Sequence, residues 1–299
     1  MKKNNVMRVF SLLLALTLIS VCAISGTFAK YVTKAEGTDQ ARVAKWGIVL
    51  TVDPGEAFAT EYETTDKNGY EGLAVKATDK VVAPGTNSEE AGGNIVATVN
   101  GTPEVATRYT LHIEGLKDVV LPAGEKYVDY TQLTKDDAGK YGYNGTFDLA
   151  ADYTPVKWNF GVSNSNGTSY DLVGVAATLG KTFPGFSLTD AKGIIETQRY
   201  MDLLLPQLES MVSGAQNAKA TVNPDGSIDI SMDFEPGTEM DYTFTLSWVW
   251  DFDDNGAGTN DKADTYLGNI AANVDGIVVP QGASTEIAAT ITATATQID

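Results

Sequence analysis

Cysteine and histidine are almost absent from this chain: Cys22 and His112 are the only ones in 299 residues. His-based serine triads, Cys–His pairs and the HExxH zinc helix all need more than that. Nor can one chain assemble a zinc site of the usual composition. This composition argues against a metallopeptidase. Basic residues are also scarce, 21 against 39 acidic ones, for a net charge of −18. So acidic a surface repels nucleic acid and anionic membrane, and it favours solubility, cation binding or basic partners. There is no glycine-rich phosphate loop, no basic patch with interleaved aromatics, no repeat of 20–50 residues and no heptad pattern.

What is present begins with an apolar run. Lys2, Lys3 and Arg8 precede an uncharged stretch from Val9 to Ala29 that ends in Gly26-Thr27-Phe28-Ala29. A basic start, an apolar middle and a small residue before a polar change describe a secretory signal peptide. The expected cut falls between Ala29 and Lys30. An uncleaved anchor is the rival reading, since the run is about long enough to span a bilayer; Ser20, Ser25, Gly26 and Thr27 thin its apolar character. A lipoprotein would use Cys22, but Val21 stands where a small residue belongs. Residues 1–29 carry three basic residues and no acidic one, so cleavage takes the net charge from −18 to −21 and removes the one cysteine. Without disulfides the remaining chain, about 270 residues, must rely on a core large enough to stand alone.

Residues 30–40 are polar apart from Tyr31 and Val32 and read as a flexible amino-terminal arm. A strand is expected over 41–52, ended by Asp53-Pro54-Gly55. Others are expected near 73–78, 94–99, 106–114, 156–162, 227–234, 243–251 and 285–296. Short strands at this spacing indicate an all-β domain over 41–299, a jelly-roll-like β-sandwich. One helical insertion interrupts it, 187–215, with Ala191, Ile194, Ile195, Met201, Leu205, Leu208 and Val212 at helical spacing. Ser187 or Thr189 is its expected N-cap and Gly214 its stop. Pro206 predicts a kink or two short helices. The insertion reads as a cover for an open end or edge of the sandwich, or else as an interaction lid. In the closing strand a small apolar face (Ile287, Ala289, Ile291, Ala293) alternates with threonines, which suits an edge or a close sheet contact.

His112 shares a strand face with Thr110 and Glu114, opposite Tyr109, Leu111 and Ile113, and reads as exposed. Asp251, Asp253 and Asn255 followed by Gly256 match the first half of an EF-hand loop, in which closely spaced oxygens wrap a hard cation such as calcium. The second half departs: Lys262 occupies the position of the bidentate Glu, and no helical pattern is evident on either side. Asp261 or Asp264 would have to close the shell, and the alternative is a solvated acidic hairpin loop. Glu61, Glu63, Asp66, Glu89 and Glu90 read as solvated loop charge. Trp248 and Trp250, two apart, share a strand face and read as core rather than as a sugar platform. Asn100-Gly101, Asn144-Gly145 and Asn166-Gly167 each open a glycosylation sequon and are each also hairpin-turn chemistry.

Gly26-Thr27-Phe28-Ala29, Lys30-Tyr31 and Ala41-Arg42-Val43-Ala44-Lys45-Trp46-Gly47-Ile48 together resemble the start of the TasA/camelysin family. The segments 82–86, 101–105 and 292–299 are similar to members of that family, whereas 140–240 shows no likeness. The resemblance implies a secreted β-sandwich of a Gram-positive biofilm matrix. It also implies a leader cut by a SipW-type signal peptidase, with membrane contact only during export, and a chain that polymerises with itself into fibres. The mechanism that fits is donor-strand exchange, in which the arm around Tyr31, Val32 and Thr33 fills a vacant edge of the next copy. No enzyme activity and no obligatory cofactor are expected. The alternative is a monomeric surface module that binds calcium or carbohydrate. A hydrolase working with carboxylates alone is a third and weaker reading.

Overall fold

The computed structural model describes residues 42–65, 71–135, 139–143, 145–183, 185–188, 191–251 and 258–298. The chain divides into two compact units, Met1–Val43 and Ala44–Asp299, and the second is described below. Strand dominates it, as the alternating sequence requires. In chain order the strands are β1 (Ile48–Asp53), β2 (Ala59–Thr65), β3 (Glu71–Val81), β4 (Thr86–Asn87), β5 (Ile95–Gly101), β6 (Thr107–Lys117), β7 (Lys126–Val128) and β8 (Thr134–Lys135). They continue with β9 (Tyr141–Gly142), β10 (Thr146–Asp148), β11 (Val156–Ser163), β12 (Ser169–Asp171), β13 (Ala215–Val222), β14 (Ile228–Phe234), β15 (Met240–Trp250) and β16 (Ala288–Gln297). Among the described residues four helices intervene: α1 (Ser88–Ala91), α2 (Leu172–Thr178), α3 (Ala191–Met211) and α4 (Gly258–Ala271). Among the described residues, no helix is long and apolar enough to cross a membrane.

Two antiparallel sheets form the body. The first runs β1-β5-β15-β11-β12, with β4 added beside β15; the second runs β13-β14-β6-β16. Strict alternation along β11 and β15 drives their packing. Val156, Trp158, Phe160 and Val162 point inward, as do Tyr242, Phe244, Leu246, Trp248 and Trp250, and all are buried. From the second sheet Tyr109, Leu111, Ile113, Ile228, Ile230 and Met232 face them. The ring of Tyr109 stacks on Phe244 at 5.4 Å, joining the two layers directly. Each such side chain withdrawn from water contributes about 1.5–3 kcal/mol, so this double layer is the main source of stability. Trp248 and Trp250 lie in the core, as their spacing indicated. Trp46, just before β1, is 40% exposed.

The expected insertion is α3, and it runs unbroken through Pro206. The helix is not split in two at the proline. Pro206 and Asp202, the residue whose carbonyl loses its donor, are both exposed, so water can serve that oxygen. Ser187 is not the N-cap; its hydroxyl donates to Asp118 Oδ2 at 2.5 Å, and Thr189 lies outside the described residues. Asp118 also accepts from Trp158 Nε1 at 2.6 Å, which pins the loop before α3 to the core. Burial pushes the Asp118 carboxyl above its ordinary range, and those hydrogen bonds oppose the shift. Gly185 is required in that loop. Its φ is +111°, and a Cβ there would meet Trp158 O at 2.7 Å.

Candidate assembly edge and acidic loop

A sandwich of two open sheets has four edge strands, and here they fall on two flanks. On one flank β12 and β13 are covered by helix. Apolar residues of α3 recur every three or four positions, so Tyr200, Met201, Leu204 and Leu208 are buried against the sandwich. Tyr242 OH donates to Leu208 O at 2.7 Å. The polar side chains of α3 then complete the edge of β13. Gln198 Nε2 donates to Ala220 O at 3.0 Å, and Gln198 Oε1 accepts from Val222 N at 2.7 Å. Farther along, Glu209 Oε1 accepts from Ala218 N at 2.7 Å. One glutamine amide thus offers the donor and acceptor that a neighbouring strand would have supplied. The sequence reading of α3 as an edge cover is what the structure shows; the residues that do the covering were not foreseen.

On the other flank β1 and β16 lie beside each other, and among the described residues each is hydrogen-bonded on one side only, β1 to β5 and β16 to β6. No ladder joins them among the described residues. The apolar face of β16, Ile291 and Ala293 included, is half-buried, and its threonine face is exposed, as the alternation predicted. Strand β16 carries no charged residue, and β1 carries only Asp53 at its end. Val49 is 60% exposed in the middle of β1. Lysines, prolines and covering helices are the usual guards of an edge, and this flank has none within its strands.

The chain enters β1 at a fixed point. Lys45 N donates to Glu104 Oε2 at 2.8 Å, and Glu104 N donates to Lys45 O at 2.9 Å. Gly101 allows the close approach: its φ is +137°, and a Cβ would sit 2.1 Å from Gly47 O. Asn100-Gly101 thus ends β5 against the entry to β1 and does not form a two-residue hairpin turn, whereas Asn166-Gly167 does lie in the β11–β12 turn. Asn144 lies outside the described residues. So do the expected cleavage site, Ala29 and Lys30, and the donor residues Tyr31, Val32 and Thr33.

The acidic loop follows β15. Asp251 is exposed; Asp253 and Asn255 lie outside the described residues. The sequence showed no helical flank, but α4 begins directly after the loop. Its apolar spacing, Ala263, Tyr266, Leu267 and Ile270, all buried, is the signal that was passed over. Asp261 lies exposed in the first turn of α4, and Asp264 Oδ1 accepts from Tyr153 OH at 2.7 Å. Lys262, at the position where calcium loops carry glutamate, pairs instead with the buried carboxylate of Asp129 at 2.9 Å. The Thr131 and Lys262 hydrogen bonds hold the Asp129 carboxyl below its ordinary range. No three His, Cys, Asp or Glu side chains among the described residues are grouped to hold a metal.

His112 points outward as expected, but it is engaged. Its Nδ1 lies 2.6 Å from Asp229 Oδ1 and its Nε2 3.4 Å from Glu114 Oε2. Asp229, directly across the β6–β14 ladder, was not foreseen as its partner. The Asp229 hydrogen bond raises the histidine pKa and in turn lowers that of Asp229.

No family model matches this chain, and neither a curated protein nor a solved structure matches it.

Proposed function

We propose that this chain is a secreted structural subunit that polymerises with itself in an extracellular, biofilm-type matrix and has no catalytic role. The observation that carries the reading is the unequal finish of the two flanks: helix α3 occupies the β13 edge, while among the described residues β1 and β16 have no strand or helix on their outer side and are nearly uncharged. The resemblance of the leader and the first strand to the TasA/camelysin family supports the same role, and the consecutive strands β5–β6, β14–β15 and β15–β16, which change sheet, support a jelly-roll-like topology. A SipW-type peptidase frees Lys30 during export. The arm of one copy then adds to the open flank of the next, where backbone groups of β1 or β16 find partners. Such a head-to-tail contact does not close on itself and yields filaments.

The purified 30–299 chain should form filaments in electron micrographs, and deletion of Tyr31–Thr38 should leave a folded monomer. Filaments of unchanged length from the deletion would rule the mechanism out.

A second reading, a calcium-binding module, is favoured by α4, which leaves the acidic loop as the exit helix of a calcium loop does. Asp251, Asp253 and Asn255 would then be closed by Asp261 or Asp264. Calorimetric titration with calcium, repeated on the Asp251→Ala, Asp253→Ala double variant, decides it; no heat from the wild type ends the idea.

A further inference from the structure

The outer face of the first sheet carries a cleft of about 740 Å³ between β11, β12 and β15 and the two helices α2 and α3. That is within the size range of small-molecule sites, roughly 300–1,000 Å³. Its floor follows from the strand register. Gly161 stands between Asp171 on β12 and Thr245 on β15, and Asn159 stands beside Ser247. Because Gly161 has no side chain, the middle of the floor is empty.

The chemistry of the lining is narrow. Serine, threonine, asparagine and glutamine supply most of the polar groups, and no lysine, arginine or histidine is among them. Asp171 is the one carboxylate, and it is committed: Oδ1 accepts from Gly174 N at 2.5 Å, capping α2, and Oδ2 accepts from Asn159 Nδ2 at 3.3 Å. That last bond fixes the orientation of the Asn159 amide. Its carbonyl oxygen is then buried with no hydrogen-bond partner, a state that costs about 1–3 kcal/mol. An anionic ligand finds no cation here, and a metal finds only one, already occupied carboxylate. A lipid chain would strand the hydroxyls of the floor. A neutral, polyhydroxylated ligand meets each condition, because its hydroxyls can exchange bonds with Ser247 and Thr245 of the floor. Val175 and Leu203 on the walls offer an apolar surface to the C–H face of a pyranose ring.

We propose that this cleft is a binding site for a neutral oligosaccharide. It lies toward the far end of the first sheet from β1, and the inference does not depend on polymerisation. Calorimetric titration of the purified protein with cellohexaose, maltohexaose and xylohexaose tests it, with hexagalacturonic acid as the anionic control. At least one neutral sugar should give saturable heat and the control none. Gly161→Val, which fills the floor, should abolish binding, and Thr245→Val, which keeps shape and removes one hydroxyl, should weaken it about tenfold, the equivalent of one hydrogen bond. Should the first variant unfold in a thermal melt, the second decides. The proposal is overturned by no saturable heat with any neutral sugar, by equal binding of the anionic control, or by unchanged affinity in Thr245→Val. Filament formation by Gly161→Val, followed in parallel, separates failure of this site from failure of assembly.

Discussion

At the β12/β13 flank a helix side chain meets the outer backbone of β13 group by group, whereas at the β1/β16 flank two strands with almost no charge have no outer partner among the described residues. Both flanks belong to the same sandwich and face the same problem, since an unpaired strand edge recruits other strands. The difference shows that the fold has the means to close an edge and applies it to one side only. A uniformly protected sandwich would be a stable monomer. One with a single bare flank is a monomer with a direction, which is what filament growth needs.

The sharpest way to break the comparison is to guard the open flank. Val49→Glu together with Thr294→Glu places two acids on exposed positions of β1 and β16 in an already acidic subunit. Filaments should disappear from electron micrographs while circular dichroism and the melting temperature hold. Growth equal to wild type would mean that this flank is not the assembly surface. On the closed flank the larger effect is in stability. Leu204 is 1% exposed beneath α3, and Leu204→Ala should cost about 2–5 kcal/mol in urea unfolding. A loss below about 1 kcal/mol would show α3 to be loosely held, outside the usual range for a buried leucine.

Much of the sandwich was legible before any coordinates. Strands β5, β6, β11, β14 and β15 bury one face over most of their length, so apolar side chains recur at every second position. Strand β16 was readable as an edge because its inner residues are small and its outer ones are threonine. Strand β13, AQNAKATV, was not readable. Its side chains are mostly small or polar, and it is held by β14 on one side and by Gln198 and Glu209 on the other, backbone contacts that leave no pattern in its own residues. Helix α4 was hidden for another reason: its four buried residues sit among glycine, threonine, asparagine and aspartate, which are weak helix formers. The openness of the β1 flank has no signature in the residues of β1 itself. It depends on which strand lies next to it in space.

A smaller change sharpens the comparison from the closed side. Gln198→Ala removes both hydrogen bonds to the β13 edge and should cost about 1–3 kcal/mol, two bonds at the usual net value. It should also give the protein a second open edge, seen as lateral thickening of filaments or as association of the arm-deleted monomer. Gln198→Glu keeps the acceptor for Val222 N but sets a charged oxygen against Ala220 O and Asp202 Oδ1, both of which the amide nitrogen had served, so it should cost at least as much as alanine. If the alanine variant matches wild type in unfolding and in association, the amide is not what closes the edge.

The smallest expected effect lies next to the open flank, where Thr292 of β16 faces His112 across the ladder. Every titratable group around that imidazole is acidic: Asp229 and Glu114 touch it, and Asp225 acts on it through space. Folding therefore raises the histidine pKa above its ordinary value of about 6.5. The stabilisation is fully present below that value and is lost as pH rises through the folded pKa. Asp229 works in the opposite sense, because its folded pKa is lowered, and its contribution is lost as pH falls through that lowered value. The pair is thus strongest in the window between the two. With His112 35% and Asp229 46% exposed, solvent screening holds the gain to a few tenths of a kcal/mol. Melting temperatures of wild type and His112→Gln should differ by a small margin near pH 5.5, and the margin should shrink at alkaline pH as the imidazole loses its proton. A constant margin at both pH values would assign the effect to packing of the ring rather than to its charge.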